Sequence, residues 1–124
     1  MNAEYIVTVG PSEAAGHVDV TVRTVRQFSS FGYGIALTAT SRRDVANGYV
    51  LDIGGITLPP VTKQAEGPAT SMVSFPAPPQ GTVLVTVRRK DDMAEIAIVI
   101  EHGTLTSVDA TSSSALFIVE TPAA

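Results

Sequence analysis

The chain contains no cysteine and no tryptophan among its 124 residues. Without cysteine there is no disulfide and no thiolate metal centre, so a small zinc- or disulfide-stapled fold is excluded. No apolar run approaches the roughly 20 residues that a helical membrane span needs. The first residues, Met-Asn-Ala-Glu-Tyr-Ile-Val-Thr-Val, lack a basic segment followed by a long apolar one, so no secretory signal is expected. The expected location is therefore the cytoplasm, or release from it by lysis. Charge is also scarce: 16% of residues are Asp, Glu, Lys or Arg, against about 25% in a typical soluble domain. Residues 27–41 and 67–87 carry no charge at all. The net charge of −4 argues against nucleic acid as a partner, because phosphate neutralisation requires clustered Lys and Arg. Helical periodicity of useful length is missing throughout.

What remains is a pattern of short β-branched runs separated by turn residues. Residues 81–101 show it best. Val83, Val85 and Val87 share one face, Ile96, Ile98 and Ile100 share another, and the charged segment 88–92 lies between them. That is a hairpin signal. Leu84 and Val99 make the opposite face partly apolar, which points to central strands. Earlier, Tyr5, Val7 and Val9 mark a first strand ended by Gly10-Pro11, and Val18, Val20 and Val22 mark a second whose phase changes at Thr24-Val25, as at a bulge. Residues 35–40 read as a third strand, Asn47-Gly48 as a type I′ turn, and Tyr49, Leu51 and Ile53 as a fourth strand. A short fifth strand covers residues 71–75. Three prolines at 76, 78 and 79 keep the following segment out of any sheet and make it a crossing connection. After the hairpin, His102-Gly103 turns the chain into a Ser/Thr-rich stretch, residues 104–114, read as a polar linker. Residues 115–120 form a last strand.

About seven or eight short strands in a single chain of this length predict one all-β domain, a two-sheet antiparallel sandwich, with a jelly roll or an open barrel as alternatives. Residues 1–103 form the core, and residues 104–124 are the linker and terminal strand, either part of the same domain or an arm exchanged between subunits. Residues 71–101 resemble the last three strands of an immunoglobulin-like or fibronectin-type-III-like sandwich: a short strand, a proline-rich crossing, a valine strand, a hairpin and a final alternating strand. The paired cysteines and core tryptophan of antibody domains are absent. In composition and layout the chain is similar to small accessory proteins of bacteriophage virions, such as head-decoration or tail proteins. That resemblance implies a structural, non-enzymatic role and a place in the virion.

Catalytic and ligand-binding constellations are weak by comparison. His17 and Asp19 share a strand face and, with Glu101 and His102, compose a two-His, one-carboxylate set on paper, but the spacing matches no known cluster. Asp91-Asp92 lies in a loop beside Arg88, Arg89 and Lys90, where solvated charge is the simpler reading. Ser112, Ser113 and Ser114 lack a nucleophile-elbow setting. Arg42-Arg43 is the other basic cluster, read as a solvated loop. No cofactor is expected. With too little ionic coating for its size, the domain is expected to present a face that another protein covers. The expected partners are copies of itself or a major structural protein of a particle, with no nucleic acid and no membrane. Phe31, Tyr33, Phe75, Leu116, Phe117, Ile118 and Val119 are the expected contact residues. The last four form a strand apolar on both faces, suited to adding to a neighbour's sheet edge. The competing expectation is a carbohydrate- or receptor-binding module, which would offer exposed aromatic rings.

Overall fold

A computed structural model of the chain describes residues 3–28, 34–42, 44, 47–57 and 67–120. The described residues form nine strands and no helix: β1 (Tyr5–Pro11), β2 (His17–Phe28), β3 (Gly34–Ser41), β4 (Gly48–Thr57), β5 (Gly67–Pro76), β6 (Gly81–Arg89), β7 (Asp92–Glu101), β8 (Thr104–Ser113) and β9 (Phe117–Glu120). They make two sheets, one ordered β5-β2-β1-β9 and the other β3-β4-β6-β7-β8. The all-β expectation holds. The purely antiparallel expectation does not, because β1 pairs parallel with β9 and β4 pairs parallel with β6. Parallel neighbours need a connection that carries the chain back to the same end. Here β5 in the other sheet returns the chain between β4 and β6, and seven strands separate β1 from β9.

Both sheets contribute to one buried core. Val7, Val9, Val20 and Val22 from the first sheet and Leu51, Val83, Val85, Val87, Ile96 and Ile98 from the second are wholly excluded from solvent. Each such side chain contributes about 1.5–3 kcal/mol by leaving water. The period-two alternation dictates this arrangement, since it turns every second residue of β1, β2, β6 and β7 inward. β-branched residues suit these positions because their restricted χ1 loses little further freedom in a strand.

The hairpin of residues 81–101 forms as expected, closed by Lys90-Asp91 with Lys90 at φ 55°. His102 and Gly103, at φ 53° and 75°, close the β7–β8 hairpin with the signature of a type I′ turn. Asn47 also has φ 55°, but the β3–β4 connection is longer than a two-residue turn, because Ser41 pairs with Tyr49 and Arg42 N–H donates to Gly48 O. Residues 77–80 cross from one sheet to the other, as the prolines require.

The segment read as a linker is a strand. β8 pairs antiparallel with β7 along its length, interrupted by two irregularities. At each, one extra residue of β8 opposes the ladder, Thr106 at the first and Thr111 at the second. Both threonine hydroxyls donate to a β7 carbonyl there, of Val99 and Glu95 respectively, at 3.2 and 3.3 Å. The bulges therefore keep hydrogen bonds while shifting the phase of the strand.

The β2 bulge also lies where the phase change placed it. Between Arg23 and Gln27 the β2–β5 register slips. The buried Thr24 hydroxyl accepts from Ala69 N–H at 2.9 Å and donates to Arg26 O at 2.8 Å, bridging the gap.

Candidate functional site

The terminal strand lies in its own molecule's sheet. Glu4 and Tyr5 N–H both donate to Leu116 O, and the register then runs Tyr5–Phe117 to Thr8–Glu120. The corner before it is held by side chains: Ser114 Oγ donates to Asp92 and accepts from Leu116 N–H, while Ser113 Oγ donates its one hydrogen between Ser114 O at 3.1 Å and Phe117 O at 3.5 Å. Leu116 and Phe117 are buried, with the Phe117 ring 6.0 Å from that of Tyr5. Val119 is half-buried and Ile118 is exposed. Phe75 is buried too, its ring centroid 4.6 Å from Tyr49, whose hydroxyl donates to Pro76 O. Of the contact residues expected from sequence, Ile118 is thus the one turned fully outward, while Phe75, Leu116 and Phe117 are used inside the chain's own core. Phe31 and Tyr33 lie outside the described residues.

The candidate chemical groups are dispersed. His17 Nδ1 lies 3.0 Å from Ala15 O; a carbonyl only accepts, so Nδ1 carries the proton. Asp19 is taken by Ser74 Oγ, which in turn lies 3.2 Å from Ser12 Oγ. A hydroxyl has one hydrogen to give, so the chain runs from Ala14 N–H through Ser12 and Ser74 to Asp19. It tethers the β1–β2 turn to β5. His102 is exposed in its turn. Among the described residues no three metal-ligating side chains gather.

Two clefts open among the described residues. One, of about 510 Å³, is walled by Pro11, Pro78, Pro79, Ala77, Leu105 and His17. The other, of about 420 Å³, lies among Glu4, Tyr5, Thr24, Val25, Arg26 and Ile56.

The outer sheet faces carry most of the polar organisation. On the first sheet the register sets Ile6 beside Ile118 and Arg23, and Thr8 beside Glu120 and Thr21, with exposed Met72 next to Thr21. Arg23 reaches Glu120 diagonally at 3.5 Å. On the second sheet Arg42 lies over the strands, pairing with Asp44 and with Glu95 at 3.5 Å and touching Thr86 Oγ1. Its hydrogen bond to Asp44 raises the guanidinium's pKa and lowers that of the Asp44 carboxyl. Arg88 grips Asp52 with two nitrogens, at 2.6 and 3.0 Å, and its own pKa is raised by that bond. Three arginines and four carboxylates of the described residues are thereby matched to one another. The rest of the described skin is threonine, serine, alanine and scattered large apolar side chains, with exposed charges at Glu4, Glu13, Lys90, Asp91, Glu101 and Asp109.

Each sheet has two edges, and three of the four edge strands carry a device against further pairing. β9 is four residues long, β8 is bulged twice and bears Asp109, and β5 has a proline near each end, Pro68 and Pro76. β3 differs. Its only irregularity lies between Ile35 and Leu37, and its sequence, Gly-Ile-Ala-Leu-Thr-Ala-Thr-Ser, has no charge and no proline. At its first turn Ile35 N–H donates to Ser71 Oγ of β5, joining the two sheets at that corner. Composition had flagged residues 27–41 as uncharged, but alternation alone did not reveal that this strand ends a sheet.

No protein-family model, no curated protein and no solved structure matches the chain.

Proposed function

We propose that the chain is a non-enzymatic structural protein that assembles with copies of itself and with a major structural protein of a larger particle, as bacteriophage head-decoration and tail accessory proteins do. The observation that carries this reading is the outer skin. Charge on it is sparse, at 16% of all residues, and three of the arginines are matched to carboxylates, Arg23 with Glu120, Arg42 with Asp44 and Glu95, and Arg88 with Asp52. Met72 stands exposed beside Thr21, Ile118 beside Ile6 and Met93 opposite Arg88. Such a surface is cheap to dehydrate, since hydroxyls and matched ion pairs cost less to cover than isolated charges. The finer reading of the fold as an immunoglobulin-like sandwich belongs with this proposal. The run from β5 through the crossing to the β6–β7 hairpin supports it, and the parallel β4–β6 pair departs from it.

A carbohydrate-binding role has less support. Tyr5, Tyr49, Phe75 and Phe117 are turned into the core or half-buried against it, so they offer no open stacking platform. The test of the assembly reading is direct. Particles isolated from the native source on a density gradient should contain the chain at a fixed ratio to the main shell or tube protein, by quantitative mass spectrometry. Recovery solely in the particle-free fractions overturns the proposal.

A further inference from the structure

The free edge of β3 has a defined hydrogen-bonding parity. Arg42 N–H donates to Gly48 O, so residue 42 directs its backbone groups toward β4. In an antiparallel ladder successive residues alternate between facing the partner and facing away. Thr40 and Thr38 therefore also face β4, opposite Val50 and Asp52. Leu37, Ala39 and Ser41 direct their N–H and C=O groups away from it. Ile35 fits the same parity, since its N–H is the one that Ser71 Oγ captures. Among the described residues no strand pairs with β3 on that side. Ala36, Thr38, Ala39, Thr40 and Ser41 are all exposed, although Ala39 and Ser41 point to the face that holds the core. The end of β3 thus projects beyond the cover of the other sheet.

We infer that this edge pairs with the β3 edge of a second copy, antiparallel about a two-fold axis at Ala39, joining two five-stranded sheets into one of ten strands. This rests on the assembly reading and names its self-contact. The strand is complementary to itself in that register. Ala39 meets Ala39 of the other copy, and Leu37 meets Ser41 twice, which makes three pairs that exchange both hydrogen bonds. Thr38 meets Thr40 in the close, non-hydrogen-bonded positions, where Thr–Thr pairs are favourable. Arg42 falls opposite Ala36, so no like charges oppose each other. Isologous pairing also uses each edge once and closes, whereas addition of an unrelated strand would leave the surrounding apolar and hydroxyl surface unmatched. A contact of this length is smaller than the standard stable interface of about 1,200–2,000 Å². The dimer is accordingly weak and concentration-dependent, and it is reinforced where many copies are held together on a surface.

Sedimentation velocity of the full chain from about 10 μM to about 1 mM should show monomer passing to dimer, as expected for an interface of this size. Ala39→Pro removes the donor at the two-fold, and its missing N–H faces away from β4, so the chain's own ladder is retained. It should weaken dimerisation at least tenfold. A second pair of variants covers the case in which that proline disturbs the fold. Thr38→Lys/Thr40→Lys and Thr38→Glu/Thr40→Glu should each be monomeric, while their equimolar mixture should form a heterodimer. Circular dichroism should show both folded. A wild-type chain that stays monomeric throughout, or charge variants that dimerise alone, overturns the inference. Dimerisation through β3 by a chain that is absent from particles would overturn the assembly reading and leave this contact standing.

Discussion

At Thr24 a hydroxyl stands in for a missing ladder bond, accepting from Ala69 N–H and donating to Arg26 O in a buried position. Thr24→Val keeps the shape and removes both bonds, leaving a buried donor unmatched. Urea denaturation should show a loss of about 1–3 kcal/mol, the usual cost of such a group, with Thr24→Ser recovering much of it. The Arg42–Asp44 pair gives a pH signature instead. The Asp44 pKa is lowered in the folded chain, first by its hydrogen bond to Arg42. Its contribution to stability is therefore complete above the ordinary aspartate value, about 3.9, and is lost as pH falls through the lower folded value. Urea midpoints measured across the acid range should place Asp44→Asn below the wild type at neutral pH and converge with it at the acid end. The effect is screened by salt, since the Asp44 side chain is 65% exposed.

Among the elements, β8 and β9 are where sequence reasoning and structure part. β8 reads as a linker because it is polar and rich in Ser and Thr, with no unbroken alternation to mark a strand. Leu105 and Val108 both face inward, opposite Ile100 and Ile98, yet they are three residues apart rather than two. The bulge residue Thr106 accounts for the extra position, and a second bulge at Thr111 breaks the phase again. Strand propensity was present in the threonines, but the period was not. β9 was legible as a strand from Leu116 to Val119; its destination was not, because parallel pairing with β1 is decided by topology rather than by local pattern. An arm exchanged between subunits implies that deletion of residues 115–124 abolishes assembly and spares the core. The structure redirects that expectation. Removing the segment uncovers Tyr5 and takes away the acceptor of Glu4 and Tyr5 N–H. Phe117→Ala alone should cost about 3–5 kcal/mol, as for other buried aromatic truncations, read as a lowered thermal midpoint.

For the molecule as a whole, the legible part was the inward face. Val83, Val85, Val87, Ile96, Ile98 and Ile100 announce a hairpin by period alone, and Pro76 to Pro79 announce the passage between sheets. Which strand neighbours which was hidden, since β4 beside β6 and β1 beside β9 are long-range choices made by packing. The candidate surface was legible as a shortage of charge but not as a place. Residues 27–41 and 67–87 are uncharged alike, yet 67–87 supplies much of the interior and the crossing, while the stretch from Ala36 to Ser41 lies open at a sheet edge.

The first and last strands run side by side in the same direction, Tyr5 against Phe117 and Thr8 against Glu120. A tension applied through the two ends of the chain would pull these strands oppositely along their common axis. The bonds between them would then bear the load together in shear instead of opening one at a time like a zipper, so that the join resists tension along the chain better than an antiparallel pair opened from one end.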